Sequence, residues 1–195
     1  MRLFIASALL ASAVIATPAV AQDADAPAGK EFQGFKVLAL GGVDDVVTGG
    51  SDTVGGLYAG AAGYDFQVGR LVVGVEGEFA GSTAKECEND LIVAGDRTCL
   101  KAGRDIYGGA RAGVVIAPKT LLYVKGGYTN GRAVATYDSG TTKTKLGTNL
   151  DGWRAGAGFE FNAGSRFVVR TEYRYSEYDH GFSRHQGVVG LGVKF

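Results

Sequence analysis

Proline is nearly absent, with three in 195 residues, and there are only two histidines, one methionine and one tryptophan. So few prolines leave long stretches free to pair as strands. The two cysteines, Cys87 and Cys99, have no histidine near them and make a poor metal site. No charge of one sign dominates, because twenty Lys and Arg face twenty Asp and Glu. That balance excludes the concentrated basic surface that nucleic-acid binding demands. Apolar runs are short, and the longest, Leu3–Ile15, is below the roughly 20 residues that a spanning helix needs.

That run does have a use. Met1-Arg2 gives a positive start, Leu3–Ile15 an apolar core and Ala19-Val20-Ala21 a small-residue cleavage site. Together they predict a cleaved N-terminal signal peptide over residues 1–21. Removing it leaves nineteen basic and twenty acidic residues, a net charge of −1. Residues 22–30 read as a short polar lead on the periplasmic side, and residues 31–195 as one domain. Export places Cys87 and Cys99 in an oxidising compartment, where a disulfide is expected, with two free thiols as the alternative.

Glycine is abundant, at 32 residues, and lies inside apolar alternations rather than in linkers. Tyr58, Gly60, Ala62, Tyr64, Phe66 and Val68 share one face of an extended chain. After a turn at Gly69-Arg70, Leu71, Val73, Val75, Gly77 and Phe79 do the same, with Glu76 and Glu78 opposite. Ile106 to Ile116, Leu122 to Tyr128, Trp153 to Phe161 and Phe167 to Tyr175 repeat the pattern. The last strand sets Val189, Leu191, Val193 and Phe195 against Gly190, Gly192 and Lys194. The first, Phe32 to Val43, alternates poorly, and its two faces cannot be told apart.

Eight strands result. Their short turns lie near residues 69, 118 and 163, and their long polar loops near 48, 91, 144 and 182. The fold predicted is all-β: an eight-stranded antiparallel up-and-down transmembrane β-barrel with short periplasmic turns and longer outer loops.

Ten charges sit opposite the apolar rows: Glu76, Glu78, Asp105, Arg111, Lys125, Arg154, Glu160, Arg170, Glu172 and Arg174. On the lipid face, Arg or Lys would cost about 2–4 kcal/mol each at mid-depth. Such costs together exceed the stability of an ordinary domain, so these residues must line the lumen. A small barrel's interior is filled by side chains, and five acids can pair five bases there. The network predicts a salt-bridged plug, with a narrow ion-conducting pore as the alternative. Aromatics at the row ends, such as Tyr64, Phe66, Tyr128, Trp153, Phe167 and Phe195, suit the two membrane-interface girdles.

Several segments carry a resemblance. Gly63-Tyr64-Asp65-Phe66-Gln67, followed by Val73-Gly74-Val75-Glu76-Gly77-Glu78, resembles the second hairpin of the small opacity-protein-like outer-membrane barrels of alphaproteobacteria. Ala110-Arg111-Ala112-Gly113, Leu122–Gly127, Trp153–Glu160, Glu172–Tyr175 and the Gly-x-x-x-Phe finish extend it over essentially the whole exported chain. The resemblance implies a monomeric barrel in the outer membrane, among lipid and lipopolysaccharide. It also implies insertion by the barrel-assembly machinery through the strand carrying Val189, Leu191, Val193 and Phe195. Members range from surface antigens and envelope-stabilising proteins to adhesins, haem-binding proteins and small porins. A two-domain, peptidoglycan-anchoring role is therefore not expected to carry over from the resemblance.

A structural or surface-interaction barrel, with no enzymatic activity and no cofactor, is therefore expected. A small porin is the alternative. An enzyme would need a positioned base. The two histidines, His180 and His185, lie with Asp179 and Ser183 in one predicted loop and form no such triad. Haem or metal capture by these histidines is a further, weaker reading.

Overall fold

The structure, a computed structural model, describes residues 30–48, 51–89, 96–140 and 142–195. The predicted signal peptide (1–21) and all of the lead before Lys30 lie outside these residues.

One antiparallel sheet makes up the domain. Its strands are β1 (Gly34–Thr48), β2 (Ser51–Val68), β3 (Leu71–Ser82), β4 (Lys85–Asn89), β5 (Arg97–Ala117), β6 (Thr120–Asp138), β7 (Lys143–Ala163), β8 (Phe167–Tyr178) and β9 (Phe182–Lys194). Their order is β3-β2-β1-β9-β8-β7-β6-β5-β4, and β3 also pairs with β5, so the sheet returns on itself. Val, Tyr, Phe and Thr, frequent in these segments, suit the pleated backbone. Tight turns at residues 69–70, 118–119 and 164–166 link β2 to β3, β5 to β6 and β7 to β8. Gly69 (φ 59°) and Gly164 (φ 87°) take left-handed conformations in two of them, where a Cβ would be strained.

The sheet has nine strands where eight were expected, and the ring is uneven, with strands of 5 to 21 residues. The additional strand, β4, falls within the segment Gly81–Ala102 that reads as a loop and pairs with β5 from Lys85↔Lys101 to Asn89↔Arg97. The other predicted loops shrink for the same reason. β1 runs to Thr48 and β2 starts at Ser51, β6 runs to Asp138 and β7 starts at Lys143, and β9 starts at Phe182. Hydrogen-bonded pairing does not stop where the apolar rows stop. Above the membrane both faces meet water, so the alternation that marks a strand in lipid is lost while its ladder persists.

The first strand is now oriented. Lys36, Leu38, Leu40, Asp44 and Val46 are buried on its inner face, while Phe35, Val37 and Val43 are exposed. Its inner face is itself apolar at the middle, which is why alternation could not separate the two sides. Phe32 belongs to a turn ahead of β1 rather than to the strand.

Large apolar side chains cover the outside. Phe66, Phe161, Phe167 and Phe195 gather at the end with the short turns, and Phe79, Tyr128 and Trp153 toward the other. Two such belts flanking an apolar band are what the membrane interfaces select.

Candidate functional site

Alternation delivers the charged residues to the interior, because in each strand every second side chain points the same way. All ten predicted charges are there, each at most 5% exposed. Four that sequence reasoning missed join them: Lys36 and Asp44 from β1, Asp65 from β2 and Arg184 from β9. On the inner strand faces among the described residues, seven acids meet seven bases. The first strand's ambiguous faces hid Lys36 and Asp44. Asp65 alternates with Tyr64 and Phe66, so its strand pattern does set it opposite the apolar row, and Arg184 falls in a segment that reads as a loop.

The ion pairs form one continuous chain. Lys36 lies 2.6 Å from Asp65 and also meets Glu160. Arg111 reaches Asp65 at 2.9 Å and Glu160 at 3.0 Å. Arg170 links Glu160 at 3.1 Å to Glu76 at 2.6 Å. Lys125 joins Glu76 at 3.0 Å to Glu172 at 2.8 Å. Arg174 pairs with Glu78 at 2.6 Å, and Arg154 connects Glu78 at 3.3 Å to Asp105 at 2.6 Å. Arg184 closes the series between Asp105, at 3.0 Å, and Asp44.

Several of these contacts cross the interior rather than joining neighbouring strands. Arg170 and Arg174 on β8 reach Glu76 and Glu78 on β3, four pairings away around the ring. Hydroxyl groups fill remaining acceptor positions. Tyr123 donates to Glu172 at 2.6 Å, Tyr178 to Asp105 at 2.5 Å and Thr129 to Asp105 at 2.6 Å. Such shared partners are what make burial of charge tolerable. The Arg111 guanidinium also lies 4.7 Å from the Tyr123 ring centre, and the Lys125 ammonium 4.8 Å from that of Tyr107.

Apolar residues flank the network. Leu38, Leu40, Leu57, Ala61, Val168 and Val188 pack on one wall, contributed by β1, β2, β8 and β9. At the end with the short turns, Phe32 is fully buried among Val72, Val115, Leu121 and Tyr123. Its N–H donates to the Gln67 side chain at 2.8 Å, and the Asn162 amide donates to the Glu31 carbonyl at 2.8 Å. Glu31 and Phe32, which read as the start of the barrel domain and of its first strand, instead fold across this end of the barrel.

Outside the network, Cys87 and Cys99 are bonded to each other and are directly paired across β4 and β5. His185 belongs to β9, not to a loop, and its Nδ1 lies 2.7 Å from the Tyr173 hydroxyl while its ring packs 4.9 Å from that of Tyr175. The His180 side chain lies outside the described residues. Val189 and Leu191 are exposed on the outer face of β9 with Val193, half-buried, in the same row, and Phe195, just past the strand, is exposed and packs on Phe35 at 6.2 Å between ring centres. Above the membrane-spanning part, the Gly140 N–H and Lys143 hold the Asp138 carboxyl below the usual carboxylate range.

The chain is similar to known outer-membrane proteins. Relatives include the 25 kDa outer-membrane immunogenic protein of Brucella ovis, 32% identical over 145 residues, covering 70% of this chain and 63% of that protein. Another is the 31 kDa outer-membrane immunogenic protein of Brucella melitensis, 27% identical over 176 residues, covering 78% and 72%. The chain spans between about half and just under two thirds of the length of the 25 kDa relatives it matches. Among solved structures, Ail, the attachment invasion locus protein of Yersinia pestis, superposes with a TM-score of 0.59 at 20% identity, over 84% of this chain and 99% of Ail. Neisserial surface protein A does so with a TM-score of 0.56 at 15% identity, over 83% and 97%. These two likenesses show the fold alone. The family model for the outer membrane protein beta-barrel domain matches residues 6–195, and the chain belongs to that family of outer-membrane proteins.

Proposed function

We propose that this barrel is a structural and surface-presenting protein of the outer membrane, of the surface-antigen type, whose interior is shut to solutes. The observation that carries this reading is the ion-pair chain: fourteen charged side chains at most 5% exposed, several bridging opposite walls. Phe32 supports it from the periplasmic end. The apolar patch around Leu38 and Leu40 supports it from the side, since it offers passing ions no ligands. The Brucella relatives, named outer-membrane immunogenic proteins, agree with presentation at the surface. The barrel needs no enzymatic group for this role. His185 serves it as part of an interfacial aromatic cluster with Tyr173 and Tyr175. Insertion would run through the β9 strand, whose Val189, Leu191, Val193 and Phe195 present an apolar edge ending in an exposed aromatic.

A second reading, a narrow pore, has one observation in its favour. The Tyr107 hydroxyl, Arg111 Nε and Arg174 Nη2 are buried and make no hydrogen bond to protein. Such donors are where interior water would gather. Conductance of the refolded barrel in a planar bilayer separates the two. A shut barrel gives a tight seal over many insertions, and Phe32→Ala stays sealed because the ion-pair chain lies beyond it. Discrete, reproducible current steps from the unaltered protein would establish the pore instead.

A further inference from the structure

Beyond the outer aromatic belt, β4 to β7 rise as a ribbon, and the same face that meets lipid below continues upward. Register shows this directly. Tyr128↔Trp153 is followed by Asn130↔Asp151, Arg132↔Asn149, Val134↔Gly147, Thr136↔Lys145 and Asp138↔Lys143. Lys101 pairs with Val134, and Arg97 with Asp138. Lys85 is paired directly with Lys101. These residues surround a concave groove of about 510 Å³, lined by Lys85, Arg97, Lys101, Lys143 and Lys145, with Asp138 as its one acid.

Three features of this groove call for an anion. First, Lys85 and Lys101 are like charges directly opposed across two strands, an arrangement that is destabilising on its own. Second, the next pair up is Cys87↔Cys99, so a covalent bond holds the two lysines together. Third, Asp138, the one acid among the described residues of the groove, is shared by Lys143 at 3.3 Å and by Arg97 opposite it, which leaves Lys85, Lys101 and Lys145 without an acid among those residues. Below them, Arg132 lies across Gly147, whose missing side chain leaves room for the guanidinium.

Height identifies the anion's source. Val134 is six residues beyond Tyr128, which at about 3.4 Å per residue and a tilt near 40° puts Lys85 and Lys101 about 15 Å above the belt. That is the level of phosphorylated sugars in the outer leaflet, and the groove's lining belongs to the strand face that meets lipid lower down. We propose that it seats the phosphorylated saccharide of a lipopolysaccharide molecule, with Lys85, Lys101 and Lys145 contacting phosphate. The inference rests on outer-membrane placement and is independent of whether the interior conducts.

The test is a titration of the refolded full-length exported chain, in detergent, with purified lipopolysaccharide. Its dephosphorylated form and the delipidated, still phosphorylated saccharide serve as comparisons. A lysine near a phosphate-bearing surface contributes about fivefold in affinity. The Lys85→Gln/Lys101→Gln/Lys145→Gln variant should therefore bind on the order of a hundredfold more weakly. The matching triple Arg variant should stay within a few-fold of the unaltered protein. Lys101→Gln alone should lose about fivefold, which keeps the test open if the triple variant folds poorly. Triple-Gln binding within twofold of the unaltered protein would overturn the proposal, as would equal affinity for the dephosphorylated lipid. Delipidated saccharide binding as tightly as the whole lipid would assign the groove to a soluble polyanion and overturn the membrane source.

Discussion

Glu160 offers the sharpest test of a dry interior. It is fully buried and touches three cations: Lys36, Arg111 at 3.0 Å and Arg170 at 3.1 Å. Glu160→Gln keeps the side chain's shape and removes its charge. At an effective dielectric near 20, unit charges about 3 Å apart attract by roughly 5–6 kcal/mol before desolvation is counted. Two effects reduce the net loss. Glutamine is cheaper to bury, and the three cations keep other acids: Asp65 at 2.6 Å from Lys36 and 2.9 Å from Arg111, and Glu76 at 2.6 Å from Arg170. One positive charge is nevertheless left unmatched, and breaking a buried pair from one side costs roughly 3–5 kcal/mol. The expected loss is about 3 kcal/mol, the low end, because the remaining acids are shared.

Trp153 makes the measurement simple. It is the only tryptophan and lies half-exposed on the lipid face, so its emission shifts when the barrel leaves the membrane. Urea unfolding of the barrel in lipid vesicles then reports stability, provided the slope is unchanged. Adding Lys36→Met to Glu160→Gln restores charge balance and should recover most of the loss. A single-variant effect below about 1 kcal/mol, or a double variant no more stable than the single, would mean that water screens the network. The shut-barrel reading would then be wrong.

Two further outcomes follow from local packing. At Gly158, a Cβ would run into the Thr171 carbonyl and come within 2.9 Å of the Tyr123 hydroxyl, so Gly158→Ala should destabilise by about 1–3 kcal/mol in the same unfolding assay. Reduction of Cys87–Cys99 should speed proteolysis between residues 85 and 101 while leaving the β-spectrum of the barrel intact, because β4 pairs with β5 alone; unchanged cleavage would count against the bridge as a brace.

The membrane-spanning part was legible in sequence because lipid enforces alternation. Trp153, Ala155, Ala157, Phe159 and Phe161 face out, while Arg154 and Glu160 are buried. Legibility ended where that pressure ended. Tyr137, Lys143 and Lys145 sit on strands that water bathes on both sides, so they read as loop. Phe32 reads as part of a strand because an apolar residue beside an apolar run looks continuous with it. Only the turn at residues 31–32 turns it inward. Two of the four missed charges, Lys36 and Asp44, share a related cause. In a strand like β1, a charge announces the inner face only when its neighbours two positions away contrast with the row between them.

That contrast also explains why a barrel should bury charge when an apolar filling would pack as well. A strand with apolar residues on both faces has no preferred side, and a slip of one residue would exchange them. In β7 such a slip would turn Arg154 and Glu160 into lipid, at about 2–4 kcal/mol for the arginine alone at mid-depth. The ion pairs therefore act on register as much as on stability. β1 is the strand that depends on this most. Its middle sets Leu38 and Leu40 inside against Val37 and Ala39 outside, which distinguishes almost nothing. Its ends carry Lys36, tied to Asp65 and Glu160, and Asp44, which accepts from Arg184, Ser82 and Gln186. Two ionic anchors, one above and one below the ambiguous stretch, leave β1 a single register in which both are satisfied. This is also the strand that meets β9 and completes the ring.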